Sequence, residues 1–100
     1  MTITKVLDGD TLTITAEGWL DTLTAPAFHD EVQDLQGAKN VILDFGGVEY
    51  ISSAGLRETV ALFRTVTANG GTFAIRRLLP EVADVFTLTG FDKKIDIRAD

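Results

Sequence analysis

One hundred residues, 45% of them apolar, are enough for one continuous core and match the usual size of a single domain. The absence of cysteine excludes disulfides and cysteine-ligated zinc, and a lone histidine, His29, excludes a multi-histidine metal site. The net charge of −6, with no positive run denser than Arg76-Arg77 or Lys93-Lys94, lacks the clustered basic face that nucleic-acid binding requires.

Met1 leads directly into Thr-Ile-Thr, without the charged and then apolar stretch of a secretion signal. No apolar run approaches the roughly 18 residues of a membrane span. The expected location is the cytoplasm, with no direct membrane insertion. Ile3–Leu7 and Thr11–Ala16 are β-prone runs separated by Asp8-Gly9-Asp10. Leu12, Ile14 and Ala16 alternate with polar residues, and Asp-Gly is a strong hairpin signal, so the chain opens with an antiparallel hairpin. Gly18-Trp19-Leu20-Asp21 breaks the alternation.

A first helix follows, with Thr24 as the expected N-cap and Pro26 in its first turn. Phe28, Val32 and Leu35 recur at helical spacing until Gly37. Val41-Ile42-Leu43 reads as a short strand buried on both faces, ended by Asp44-Phe45-Gly46-Gly47. The second helix starts near Ser52-Ser53 and runs to about Ala68, with Leu56, Val60 and Phe63 on one face and Asn69-Gly70-Gly71 as the stop. Thr72–Ile75 is a strand. Pro80 opens a third helix carrying Val82, Val85, Phe86 and Thr89, Gly90 ends it, and Ile95–Ile97 makes a last short strand. The order β β α β α β α β predicts an α/β domain over residues 1–100. Its mixed sheet has four to five strands, with helices mainly on one face and the hairpin at an edge.

Chemistry concentrates in residues 43–56, where an apolar strand leads through a loop to two serines at a helix start. That helix end carries unpaired N–H groups and about half a positive charge. A serine there is usually a cap, and it is also a position that tolerates a phosphate well.

This stretch resembles the signature of the STAS family of anti-sigma factor antagonists: a strand, an Asp, then an Asp-Ser-Ser-Gly-Leu-like element opening a helix. Asp44 falls on the strand-end Asp, Ser53 on the phosphorylated serine, and Gly55-Leu56 on the Gly-Leu pair. Gly18-Trp19-Leu20-Asp21 is similar to the family's Gly-x-Leu-Asp, and Leu88-Thr89-Gly90-Phe91 to its late Leu-Thr-Gly element. The family's acidic residue before the phosphoserine is Ser52 here and the residue after it is Ala54, which makes Ser52 the second candidate for phosphorylation.

The resemblance implies a regulator without enzymatic activity, cofactor or metal. Its unphosphorylated form binds a serine-kinase anti-sigma factor and frees the sigma factor; that kinase inactivates it at Ser53, and a serine phosphatase completes the cycle. Asp21, Asp44, Ser52, Ser53, Gly55 and Leu56 are the expected partner-binding residues, with Asp21 and Asp44 forming an acidic rim at one sheet end. The alternative is an unphosphorylated STAS scaffold in a lipid transporter or signalling assembly. A small enzyme is the third reading, and it has no visible catalytic group. Ile51–Gly55 lacks the first glycine of a nucleophile elbow, and Gly46-Gly47 and Gly70-Gly71 belong to no phosphate loop.

Overall fold

The opening runs fold back on each other as expected in the computed structural model, which describes residues 1–100. Strand β1 (Thr2–Asp8) pairs antiparallel with β2 (Thr11–Leu20), residue for residue from Thr2 opposite Glu17 to Asp8 opposite Thr11. Gly9 turns the corner at a φ of 60°, a conformation that glycine adopts without strain. Helix α1 (Ala25–Val32) crosses to β3 (Asn40–Ile51), α2 (Ser53–Ala68) to β4 (Thr72–Arg76), and α3 (Pro80–Thr89) with a short 3₁₀ turn (Phe91–Lys93) to β5 (Asp96–Arg98). The sheet order is β1-β2-β3-β4-β5, parallel from β2 onward, which places the hairpin strand β1 at an edge.

The helices lie on one face because the strands are apolar on one face. Leu12, Ile14, Ala16, Val41, Leu43, Phe45, Phe73 and Ile75 point the same way and are buried. They join Phe28, Leu56, Val60, Val82 and Phe86 from the helices in one cluster of 21 buried side chains, so there is a single core. The alternate residues, among them Thr13, Thr15, Ile42 and Arg76, stand on the opposite face.

Six local expectations need correction. Strand β2 does not break at Gly18 but continues to Leu20, and β3 does not end at Leu43 but runs to Ile51. Register shifts opposite Thr15/Glu17 and Gly18/Trp19 insert two extra residues into β3, so Asp44 through Gly47 is a bulged stretch of strand and not its end. Nor is Val41–Leu43 buried on both faces, since Ile42 is only half-buried. Helix α1 stops at Val32, short of Leu35, where the Lys5 ammonium donates to the carbonyls of Glu31 (2.9 Å) and Asp34 (3.2 Å). Thr24 occupies the N-cap position of α1 without capping it, because its hydroxyl is engaged with Trp19 and Asp21. The last strand is displaced by one residue, leaving Ile95 buried ahead of it.

Candidate functional site

Parallel β2 and β3 end together, with Leu20 opposite Ile51 and both buried. The Ser52 N–H donates to the Leu20 carbonyl (2.9 Å), which fixes where α2 begins. Ser52, in extended backbone, caps the helix: its hydroxyl accepts from the Gly55 N–H (3.2 Å) and its carbonyl accepts from the Leu56 N–H (2.8 Å). Ser53 is the first helical residue and is exposed. Its hydroxyl has no hydrogen-bond partner in the chain, so capping and exposure are divided between two neighbouring serines. The first turn of α2 holds no acidic residue, which leaves its positive end uncompensated.

Gly55 and Leu56 face inward. A Cβ on Gly55 would lie 2.6 Å from both the Leu20 Cγ and the Leu20 carbonyl oxygen, so only glycine lets α2 approach β2 this closely. Leu56 is 8% exposed and belongs to the core. These two residues shape the site from beneath.

Asp21 organises the loop beside it. Its Oδ1 accepts from the N–H groups of Leu23 (3.0 Å) and Thr24 (3.1 Å), while the Thr24 hydroxyl accepts from the Asp21 N–H (2.9 Å) and donates to the Trp19 carbonyl (2.7 Å). Asp44 lies elsewhere. It pairs with Thr15 in the ladder, six residues before Asp21 and thus roughly 20 Å along the strand direction. The expected acidic rim uniting Asp21 with Asp44 is therefore absent. Asp44 instead accepts from the Gly46 N–H (3.0 Å) and from Arg77 Nε (2.9 and 3.1 Å). Burial alone would push its carboxyl up, but the Gly46 N–H, the Arg77 guanidinium and the charge of Arg76 outweigh that and hold it below the usual 3.8.

Sequence reasoning missed two neighbours, Tyr50 and Leu23. Tyr50 is 47% exposed and stacks at a tilt on Trp19, itself 56% exposed, with ring centroids 5.2 Å apart. Leu23, in the loop after β2, is 88% exposed. Alternation along β3 would not have revealed Tyr50, because it shares the parity of the buried Val48 and is turned outward by the register shift opposite Gly18 and Trp19. An apolar, aromatic patch thus borders the strand ends that deliver Ser52 and Ser53.

The arrangement suits a hydroxyl that is acted upon. His29 Nδ1 lies 2.9 Å from Glu58 Oε1, bridging α1 and α2, and forms no hydrogen bond to either serine. No three side chains of the His, Cys, Asp and Glu types converge as a metal-binding group. No helix is long and apolar enough to cross a membrane.

Comparison with known proteins adds four findings. BtrV of Bordetella bronchiseptica, which bears the name of an anti-sigma factor antagonist, is 38% identical over 56 residues, covering 56% of this chain and 48% of BtrV. The chain thus spans about half the length of that curated relative. A Thermotoga maritima structure named for an anti-sigma factor antagonist superposes with a TM-score of 0.89 at 24% identity, over 96% of this chain and 85% of that one. The phosphorylated form of SpoIIAA from Bacillus superposes with a TM-score of 0.75 at 16% identity, over 96% and 90%. At these identities the structural likenesses speak for the fold. A family model described as the STAS domain matches residues 2–100, and the chain belongs to that family.

Proposed function

We propose that this chain is an anti-sigma factor antagonist, a regulator without catalytic activity that works in the cytoplasm by binding a serine-kinase anti-sigma factor. In its unphosphorylated state the end of the sheet carrying Ser53 docks on the kinase and releases the sigma factor. Phosphorylation reverses this: the γ-phosphoryl group of ATP passes to Ser53 Oγ, the hydroxyl proton goes to a base of the kinase, and ADP leaves. A serine phosphatase hydrolyses the ester and restores binding.

The observation that carries the proposal is the division of labour at the start of α2. Ser52 holds the cap, so the Ser53 hydroxyl stays exposed on a helix end with no acidic residue in its first turn. The names of the relatives, BtrV above all, point the same way. Exposed Trp19 and Tyr50 fit the aromatic character of protein interfaces. Phosphorylation adds about −1.5 to −2 charge, which the helix dipole of the free protein tolerates. In the complex, a charge pressed against the partner loses water without gaining a matched group. Ser53→Asp should therefore weaken binding to the cognate kinase at least about tenfold, or ~1.4 kcal/mol, with melting unchanged. Titration calorimetry on both proteins tests this. Equal affinities would remove Ser53 from the interface and leave the unphosphorylated scaffold as the reading to pursue.

A further inference from the structure

At the edge of the sheet, β1 has one neighbour, β2, and its other side presents a row of backbone donors and acceptors with no strand beside it. Natural edge strands are commonly protected by short length, a bulge, a proline or an outward lysine. Strand β1 has none of these. It is seven residues long, pairs with β2 without a register shift and contains no proline. Its one lysine, Lys5, is committed to the Glu31 and Asp34 carbonyls at the end of α1. Val6 and Leu7 are 60% and 41% exposed.

We infer that β1 is an interface for a second copy of this chain, joined antiparallel across a two-fold axis through Lys5 to make one continuous ten-stranded sheet. The sequence of β1 complements itself in that register. Faces are preserved by a two-fold axis normal to the sheet, so each residue must meet a residue of its own parity. On the helix side Ile3 then meets the partner's Leu7, and Leu7 meets the partner's Ile3. On the open side Thr4 and Val6 meet reciprocally, a pairing of β-branched side chains that stabilises sheets. Thr2 and Asp8 close the ends, so all seven residues are used. The two Lys5 side chains face each other at the axis, but each ammonium is drawn toward its own α1 carbonyls. A seven-residue edge is smaller than the interface of a permanent dimer, which makes the association reversible and concentration-dependent.

The chain contains no cysteine, so introduced thiols report the register cleanly. Opposed residues in an antiparallel pair have Cα atoms about 4.5–5.5 Å apart, within disulfide reach. Sedimentation equilibrium of the wild-type protein between about 10 μM and 1 mM should show the mass rising from that of a 10.8 kDa monomer toward twice that value. Val6→Lys and Thr4→Lys, checked for native circular dichroism, should each stay monomeric over the same range. Under mild oxidation, a mixture of Thr4→Cys and Val6→Cys proteins should yield mainly the mixed disulfide dimer, well above either homodimer. A wild-type protein that stays monomeric at the highest concentration overturns the inference. So does a dimer that survives both lysine variants, or one in which residues 4 and 6 fail to cross-link.

Discussion

Ser52 and Ser53 occupy consecutive positions yet carry separable burdens, and substitution should separate them. Ser52→Ala removes the acceptor for the Gly55 N–H and should cost about 0.5–2 kcal/mol of stability, whereas Ser53→Ala should stay within about 0.5 kcal/mol. Urea denaturation of the two proteins decides this, and a larger loss at Ser53 would mean that the cap is misassigned. Gly55 is the steric counterpart. Its missing Cβ is what lets Leu20 sit against the first turn of α2, and the Leu20 carbonyl cannot swing aside as a side chain can. Gly55→Ala should destabilise by about 1–3 kcal/mol, lowering the melting temperature by several degrees or more in a domain of this size. It should also weaken partner binding by displacing Ser53. Unchanged melting would show that α2 can retreat from β2 freely.

Among the elements, β3 shapes the molecule most. Its bulged middle, Asp44 to Gly47, lets one twelve-residue strand cross the whole sheet and still deliver Ile51 beside Leu20. Glycine is demanded more strictly at position 47 than at 46. A Cβ on Gly47 would meet the Glu17 Cγ at 2.7 Å, the Glu17 Cβ at 3.1 Å and its backbone Cα at 3.3 Å, whereas one on Gly46 would meet only the flexible Arg77 guanidinium at 2.7 Å, which can shift. Arg77, itself in the left-handed region at a φ of 60°, ties the end of β4 to this bulge through Asp44. The Asp44 carboxyl is held below its usual value in the folded chain, so its contribution to stability is complete above about pH 4–5, where the unfolded chain is also ionised. The contribution is lost as pH falls through the lower folded value. Arg77→Gln should therefore be less stable than wild type at neutral pH and lose less stability on acidification below about pH 4. Parallel stability-against-pH curves for the two proteins would show that the pair is not coupled to folding.

The whole molecule rests on one core beneath one face of the sheet. Phe45, fully buried, meets Phe28 of α1 edge-on at 6.5 Å between ring centroids and links that helix to the central strand. Phe45→Ala should cost about 3–5 kcal/mol, a large part of the stability expected for a domain of this size. Trp19 is the only tryptophan, and it stands at the candidate interface, so its fluorescence can be compared with far-ultraviolet dichroism during unfolding. The two signals should coincide if the strand ends belong to the same cooperative unit as the core. Separate transitions would identify the Ser53 end as a region that opens locally.

Periodicity and punctuation in the sequence determined the element order, the hairpin, the start of α2 at Ser52-Ser53 and the glycine stop of α3. These depend on neighbours within a few residues, and alternation or helical spacing records them directly. The one-sided sheet was legible for the same reason, since apolar residues alternate in β2. Tertiary structure alone decided the length of β3, the early end of α1 and the separation of Asp21 from Asp44. A bulge is invisible without the partner strand that defines its register, and the lysine that takes the last α1 carbonyls stands on β1, 26 residues before Glu31. The sharing of roles between Ser52 and Ser53 was decided there as well. Which hydroxyl turns back to cap a helix depends on the backbone direction in which the preceding strand arrives, and Leu20 on a different strand fixes that direction.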